Sequence, residues 1–341
     1  MFFKKKSKGY FIETNALSVM VARTSGAGAT LSVEEVAECP SHDLKAIAEM
    51  FEQIQGGKSA DRFLHAVVGV YPPKRVVRYY ALDLKRLKEP EYLNEVMVQQ
   101  LRIEPAKFMV MLLNARDGSD YDLVKATQKG VLFCGLPTED LAKQQEQLIA
   151  TGVYPERLEL GSVATLGAVT DYLNQAKLKA PTLVLEMGLD ATSSFIVTTE
   201  GVDASRPIPL GLDSMVAGVQ KELGLKDEET ARKLFYSSEF DSRETAPILL
   251  KRLMKELQSL IGFYEVQTGQ TVGRVLITQL PSNLRWIESA LAMGLGIEVL
   301  KWDPVEWLER HEITIGEGVA QAILEPRWLG LLSLMVRRPL H

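Results

Sequence analysis

Two cysteines, Cys39 and Cys134, are all that the 341 residues contain. Each lies in or beside an apolar run, which excludes a disulfide framework and suits reduced, buried thiols. Histidine is almost as scarce, and His42, His65, His311 and His341 show no metal-ligand spacing with one another or with the cysteines. Neither a Gly-x-Ser-x-Gly elbow nor a P-loop string is present, so those two common catalytic devices are excluded. Long apolar runs are missing as well: Trp328 to Val336, the most apolar late segment, falls far short of the roughly 20 residues that cross a bilayer. The opening MFFKKK lacks the apolar stretch of a secretory signal. The expectation is a cytoplasmic chain, at most peripheral on the inner membrane. A basic excess is absent too, with a formal charge of −5 and a pI near 5.6, which gives no electrostatic reason to expect nucleic acid. The short basic run Lys4-Lys5-Lys6 with Lys8 reads as a solvated tail, with contact to anionic lipid headgroups as the alternative.

What is present is enough apolar content, 46%, for a large core divided into two or three compact units. One pattern occurs twice. From Gly9, the runs GYFIET, LSVMVAR and TLSVEEVAEC are separated by turn residues, including Ser25-Gly26-Ala27-Gly28. A helical stretch follows, with Leu44, Ile47, Phe51 and Ile54 at helical spacing, and then the apolar strand FLHAVVGV. From Thr182 the order returns as LVLEM, SSFIVTT and VDASRPIP, a helix opening near Asp213, and eventually the strand RVLIT. Three meandering strands, a helix and a strand, stated twice, are the plan of a duplicated ribonuclease-H-like lobe. Two such lobes face each other across a cleft, so the turns Thr14 to Leu17 and Gly188 to Thr192 are the places to seek ligand chemistry.

Between the copies lies a small α/β module inserted into the first lobe: a helix (EPEYLNEVMVQQL), a strand (KFMVMLLNA), a helix (DYDLVKATQ), a strand (VLFCGL) and a helix over 138–150. The expected division is 9–82 for the first lobe, 83–157 for the insertion, 158–181 for the return to the first lobe, 182–311 for the second lobe and 312–341 for a C-terminal helical segment. Within the second lobe, 225–270 reads as mostly helical. There Asp227 stands as an N-cap, and Leu249, Leu253, Leu257, Leu260 and Tyr264 trace one face of a long helix ending at Gly269. The tryptophans Trp286, Trp302, Trp307 and Trp328 read as core, with an interaction surface as the alternative.

Several ordered segments resemble the type IV pilus assembly protein PilM family, related to FtsA and to the cytoplasmic part of GspL. They are MFFKKKSKGYFIE, the stretch from VLFCGLPTED to GSVATLGAV, LVLEMGLDATSSFIVTTEGVDASRPIPLGLDSMVAGVQKELGL, and ELQSLIGFYEVQTGQTVGRVLIT. The resemblance implies an α/β, actin-like, two-lobed fold whose first hairpin carries Asp-x-Gly, small hydroxyl residues and a cation.

Here that hairpin reads Glu13-Thr14-Asn15-Ala16-Leu17-Ser18-Val19-Met20. Asn15 stands in place of the glycine and Met20 in place of the cation, and Asn tolerates a left-handed turn. Losing a charge-assisted contact of this kind removes on the order of 1–3 kcal/mol. The second loop, Glu186-Met187-Gly188-Leu189-Asp190-Ala191-Thr192-Ser193, keeps an acid, the glycine and the hydroxyls of Thr192 and Ser193. Its Glu displaces the carboxylate by roughly an ångström relative to Asp, and metal-assisted geometry tolerates little misplacement. The adenosine turn is replaced by Gln279-Leu280-Pro281-Ser282-Asn283, read as a helix start with Ser282 as N-cap.

The candidate remnants of the phosphate loops are therefore Glu13, Asn15, Glu186, Gly188, Thr192 and Ser193. No catalytic residue and no metal site is expected, and no cofactor beyond weakly held ATP with magnesium. The resemblance implies a scaffold that docks the cytoplasmic tail of a PilN-like inner-membrane protein, in a groove between the first lobe and its insertion, and that contacts pilus motor ATPases. Self-association stays open. The competing readings are an active actin-like ATPase that polymerises and, last, a small-molecule kinase of the same superfamily.

Overall fold

The computed structural model describes residues 7–27, 30–56 and 63–336. The lysines at 4–6, the side chain of Lys8, Gly28 of the expected turn and His341 lie outside the described residues. The chain opens with three antiparallel strands, β1 (Ser7–Thr14), β2 (Ser18–Ala27) and β3 (Thr30–Pro40). Helix α1 (Leu44–Gln55) follows, started by Asp43, whose side chain accepts from Ala46 N at 2.9 Å, and stopped by Gly56 at φ +79°. Ile47, Met50, Phe51 and Ile54 bury its inner face, while Leu44, expected on that face, points to solvent. Strand β4 (Leu64–Val70) then runs parallel to β1.

The chain next leaves the lobe. Strand β5 (Val76–Ala81), helix α2 (Tyr92–Glu95) widening into a π-turn over Val96–Gln100, β6 (Phe108–Asn114) and β7 (Gly130–Pro137) build a separate sheet of order β5-β7-β6. The helix expected over DYDLVKATQ does not form. Asp122 Oδ1 accepts from the amides of Val124 and Lys125 at 2.9 and 3.2 Å, an Asx turn that competes with a helix. Helix α3 (Thr138–Ala150) leads back to β8 (Val153–Leu160), which pairs parallel to β4, and to α4 (Gly161–Gln175). The insertion's sheet thus begins at Val76, inside the 9–82 expected for the first lobe, and β8 returns to that lobe's sheet within the 83–157 expected for the insertion.

The second lobe repeats the plan with β9 (Thr182–Met187), β10 (Thr192–Thr198), β11 (Gly201–Ile208) and α5 (Leu212–Glu222). Its helical part holds α6 (Glu228–Phe235), capped by Asp227 accepting from Thr230 N at 2.8 Å, then α7 (Ala246–Leu249) and α8 (Lys251–Thr268). Leu253, Leu257, Leu260 and Tyr264 bury one face of α8, whereas Leu249 belongs to the separate turn of α7. Strand β12 (Arg274–Thr278), α9 (Trp286–Leu295) and β13 (Glu298–Val299) complete a sheet of order β11-β10-β9-β12-β13.

The remaining chain crosses back. After α10 (Val305–Arg310), β14 (Ile313–Ile315) pairs parallel to β3 and closes a six-stranded sheet of order β14-β3-β2-β1-β4-β8. The short helix α11 (Leu329–Ser333) packs on α4 and β1. The segment from 312 is therefore part strand and part short helices, and it belongs to the first lobe's core. One apolar cluster runs from Met20 and Val33 through Ala164 and Val169 of α4 to Val184, Phe195 and Leu276 of the second sheet. Val77, Leu132 and Cys134 tie the insertion into the same cluster. Trp307 and Trp328 are buried in it, and Trp307 Nε1 donates to Asp171 Oδ2 at 2.8 Å.

Candidate functional site: a cleft filled by its own side chains

The two acids singled out in the sequence end corresponding strands, Glu13 on β1 and Glu186 on β9, and both are fully buried. Glu13 Oε1 accepts from Asn15 Nδ2 at 3.3 Å, while Oε2 has no hydrogen-bond partner. Burial pushes the Glu13 carboxyl up to about 8, and the charge of Glu186 adds to the rise against the opposing hydrogen bond from Asn15. At neutral pH this group is largely protonated.

Asn15 closes the first hairpin without a left-handed backbone, since it is not among the described non-glycine residues with positive φ. Its side chain does the work. Asn15 Oδ1 accepts from the amides of Leu17 and Ser18 at 2.9 and 3.0 Å, so two donors at the hairpin tip are already engaged. Leu17, at the same tip, packs against the apolar cluster of the second lobe. Met20 is buried in the core that joins the lobes.

In the second loop the carbonyls of Gly188 and Leu189 accept from the amides of Leu212 and Asp213, both at 3.0 Å. The loop thereby satisfies the opening amides of α5, which would otherwise lack partners. Gly211 makes this approach feasible, because a Cβ there would sit 2.1 Å from Leu189 O. Thr192 Oγ1 donates to Leu210 O at 2.7 Å and is buried; Ser193 lies opposite Glu186 in the β9–β10 pair. Asp190 is exposed.

Three residues that the sequence reading passed over complete the cleft: Tyr71, Arg75 and Ser162. Arg75 Nη2 donates to Glu186 Oε2 at 2.8 Å, Arg75 Nε donates to Ser162 Oγ at 2.8 Å, and Ser162 Oγ donates to the same Glu186 oxygen at 2.6 Å. Arg75 Nη1 also reaches back to Pro72 O at 3.3 Å. Tyr71 bonds Thr165 through its hydroxyl at 2.8 Å. Its ring fits only because position 161 is glycine, where a Cβ would lie 2.2 Å from it. Gly330 of α11 plays the matching part: a Cβ there would meet Glu13 Oε2 at 2.0 Å and the Tyr71 hydroxyl at 2.7 Å.

After β12, where the resemblance implies an adenosine turn, Gln279 adopts φ +65°, a conformation that normally calls for glycine. Ser282 does not cap the following turn, which Pro281 precedes; its hydroxyl donates to Glu325 Oε2 at 2.7 Å. A cavity of about 10 Å³ beside it, lined by residues that include Ile277, Leu280, Arg285 and Glu288, has room for no more than a water. Among the described residues no group of three or more His, Cys, Asp or Glu side chains is placed to hold a metal.

Neither a protein-family model nor a curated protein sequence matches this chain. Among solved structures, the chain is similar to one from a PilM–PilN type IV pilus biogenesis complex, with a TM-score of 0.69 at 18% identity, over 97% of this chain and 99% of that one. Weaker similarities, with TM-scores of 0.46 and 0.42 at 10% identity, extend to the ethanolamine utilization protein EutJ from Carboxydothermus hydrogenoformans and to an archaeal actin homolog. They cover 98% of this chain and 90% of the first, and 96% of this chain and 98% of the second. With its duplicated lobes, crossing C-terminal segment and inserted three-stranded sheet, the chain has a PilM-like form of the two-lobed actin-like fold.

Proposed function

We propose that this protein is a scaffold of a type IV pilus or related secretion machine, that it docks an extended, apolar peptide tail, and that it works without a bound nucleotide. The observation that carries the docking reading is strand β6. It is an edge of the inserted sheet, bridged at its C-terminal end by contacts of Leu112 and Asn114 with Tyr121 and Ser119, and its Met109 and Met111 are 50% and 56% exposed. Strand alternation puts both on the same face as Leu113, which packs into the core shared with the lobes. They therefore lie on the side of the insertion that turns toward the core it shares with the lobes. A peptide laid there gains main-chain hydrogen bonds from the strand edge and contact with two adaptable thioethers. The occupant on this reading is the tail of a PilN-like inner-membrane protein, by similarity to a chain from a PilM–PilN complex. No described helix is long and apolar enough to cross a membrane, so on this reading the chain is held at the membrane through that tail. Contact with motor ATPases and self-association belong to the same proposal.

The nucleotide part rests on the cleft. The residues present fit magnesium–triphosphate poorly: Glu13 is largely protonated, Glu186 is held by Arg75 and Ser162, and the Tyr71 ring is wedged against Gly161.

The docking test is fluorescence anisotropy with a labelled PilN-like tail peptide and the variants Met109→Asp and Met111→Asp. Both side chains lie at the surface, and circular dichroism verifies folding. Wild-type binding in the micromolar range, weakened at least about tenfold by each variant, is the expected result. A tenfold loss corresponds to about 1.4 kcal/mol, a reasonable share of one buried side chain. Absence of binding at high micromolar concentration, or equal binding by all three proteins, refutes the reading.

A further inference from the structure

We infer that the segment Tyr71–Arg75 couples the cleft to the inserted subdomain, so that the closed cleft and the placement of the insertion are one conformational state. As a control on peptide docking this rests on the preceding proposal; the mechanical link itself is a property of the free chain.

The segment leaves β4 of the first lobe and feeds directly into β5 of the insertion. Within it, Tyr71 is held against Gly161 and Gly330, and Arg75 joins its own turn, the start of α4 and the second lobe's β9 through a single guanidinium. Pro72 and Pro73 restrict the backbone between those anchors, so a displacement at one end is transmitted to the other.

The residues just beyond are anchored on the second lobe. Tyr79 N donates to Ser205 Oγ of β11 at 2.7 Å, and Val202 N donates to Ala115 O at 2.9 Å. Gly201, at φ +118°, lets the β10–β11 turn meet the insertion so closely that a Cβ would lie 2.2 Å from Ala115 O. Arg116 and Glu200 form an ion pair across the same seam. The insertion thus enters from one lobe and rests on the other. Rotation of the lobes about the cleft has to shift either the Arg75–Glu186 contact or the β5–β11 seam. With both formed, the floor provided by β6 is held in one orientation; with the cleft contact broken, the β5–β11 seam and the apolar packing of Val77, Leu132 and Cys134 remain, without the polar tie to β9.

Hydrogen-exchange mass spectrometry on the full chain tests this, comparing wild type with Arg75→Met and the isosteric Glu186→Gln. The expected result is exchange at least tenfold faster across Val76–Ala81 and Gly201–Ser205 in both variants, with the β2–β3 pair unchanged. Acceleration confined to the immediate neighbours of residues 75, 162 and 186, or spread evenly over every strand, overturns the inference. Should Arg75→Met fail to fold, Glu186→Gln alone decides, because it keeps the shape and one acceptor oxygen while removing the charge that holds Arg75. The readout needs no peptide, so a failed docking experiment leaves it standing, and a negative exchange result leaves docking standing. If both hold, reciprocity requires bound peptide to slow exchange over Tyr71–Arg75 in the wild type.

Discussion

Replacing Glu13 by glutamine is expected to flatten the pH dependence of stability. The carboxyl is buried between the lobes, with its apolar surroundings as the main perturbation and Glu186 and Glu38 as the like charges facing it. Asn15 and the Leu331 amide are the groups that oppose the shift. Its folded-state pKa of about 8 lies above the ordinary glutamate value of 4.5, so the native state retains a proton that the unfolded state releases. The resulting stabilisation is complete below pH 4.5 and is lost as the pH rises toward 8. The slope reaches at most about 1.4 kcal/mol per pH unit, or roughly 4 kcal/mol between pH 5 and 8. Glutamine reproduces the neutral acid, keeping an oxygen for Asn15. Urea unfolding at pH 5, 6.5 and 8 should show wild type losing stability relative to Glu13→Gln at each step. Parallel curves would refute the reasoning, since they would mean that the carboxyl ionises in the folded protein as readily as in the unfolded chain.

Further outcomes follow from the same packing. Gly330→Ala places a methyl 2.0 Å from Glu13 Oε2 and is expected to destabilise by about 1–3 kcal/mol, as overpacking of a rigid core does; chemical denaturation measures it. Tyr71→Ala removes the ring between Gly161 and Gly330, and a loss of about 3–5 kcal/mol, comparable to other buried aromatic truncations, is expected from the same assay. Calorimetry with magnesium and a non-hydrolysable ATP analogue should give flat heats for wild type; micromolar binding would show that the cleft opens to admit a triphosphate.

Much of the lobe plan was legible because strand alternation, turn residues and helix caps are local. Asp43, Gly56, Asp227 and Gly269 each end or begin an element through contacts within a few residues. The expected helix after Asp120 failed for an equally local reason, the Asx turn of Asp122, which composition alone understates. Glu13 and Glu186 were visible as acids closing corresponding strands. Their partners were not, since Arg75 lies 87 and 111 residues from Ser162 and Glu186. A signal did exist in Tyr71-Pro72-Pro73-Lys74-Arg75, an aromatic and a cation on a stiff turn directly after an apolar strand. Asn15 tolerates a left-handed turn, yet it shapes the hairpin through side-chain hydrogen bonds rather than through a left-handed backbone, which residue type alone does not reveal. The bend at Gln279 left no mark in the sequence, because a residue that rarely adopts positive φ stands where glycine would announce it.

The return of the chain to where it started bears on biosynthesis. Residues 313–315 add the last strand to the sheet begun at Ser7, and Leu334 O accepts from Arg157 Nη2 at 3.2 Å beneath it. At roughly 5–20 residues per second of translation, tens of seconds separate emergence of Glu13 from that of Gly330. Throughout that interval the outer edge of β3 and the apolar bed awaiting α11 stay uncovered on the ribosome, which makes the earliest part of the protein the last to become safe from aggregation.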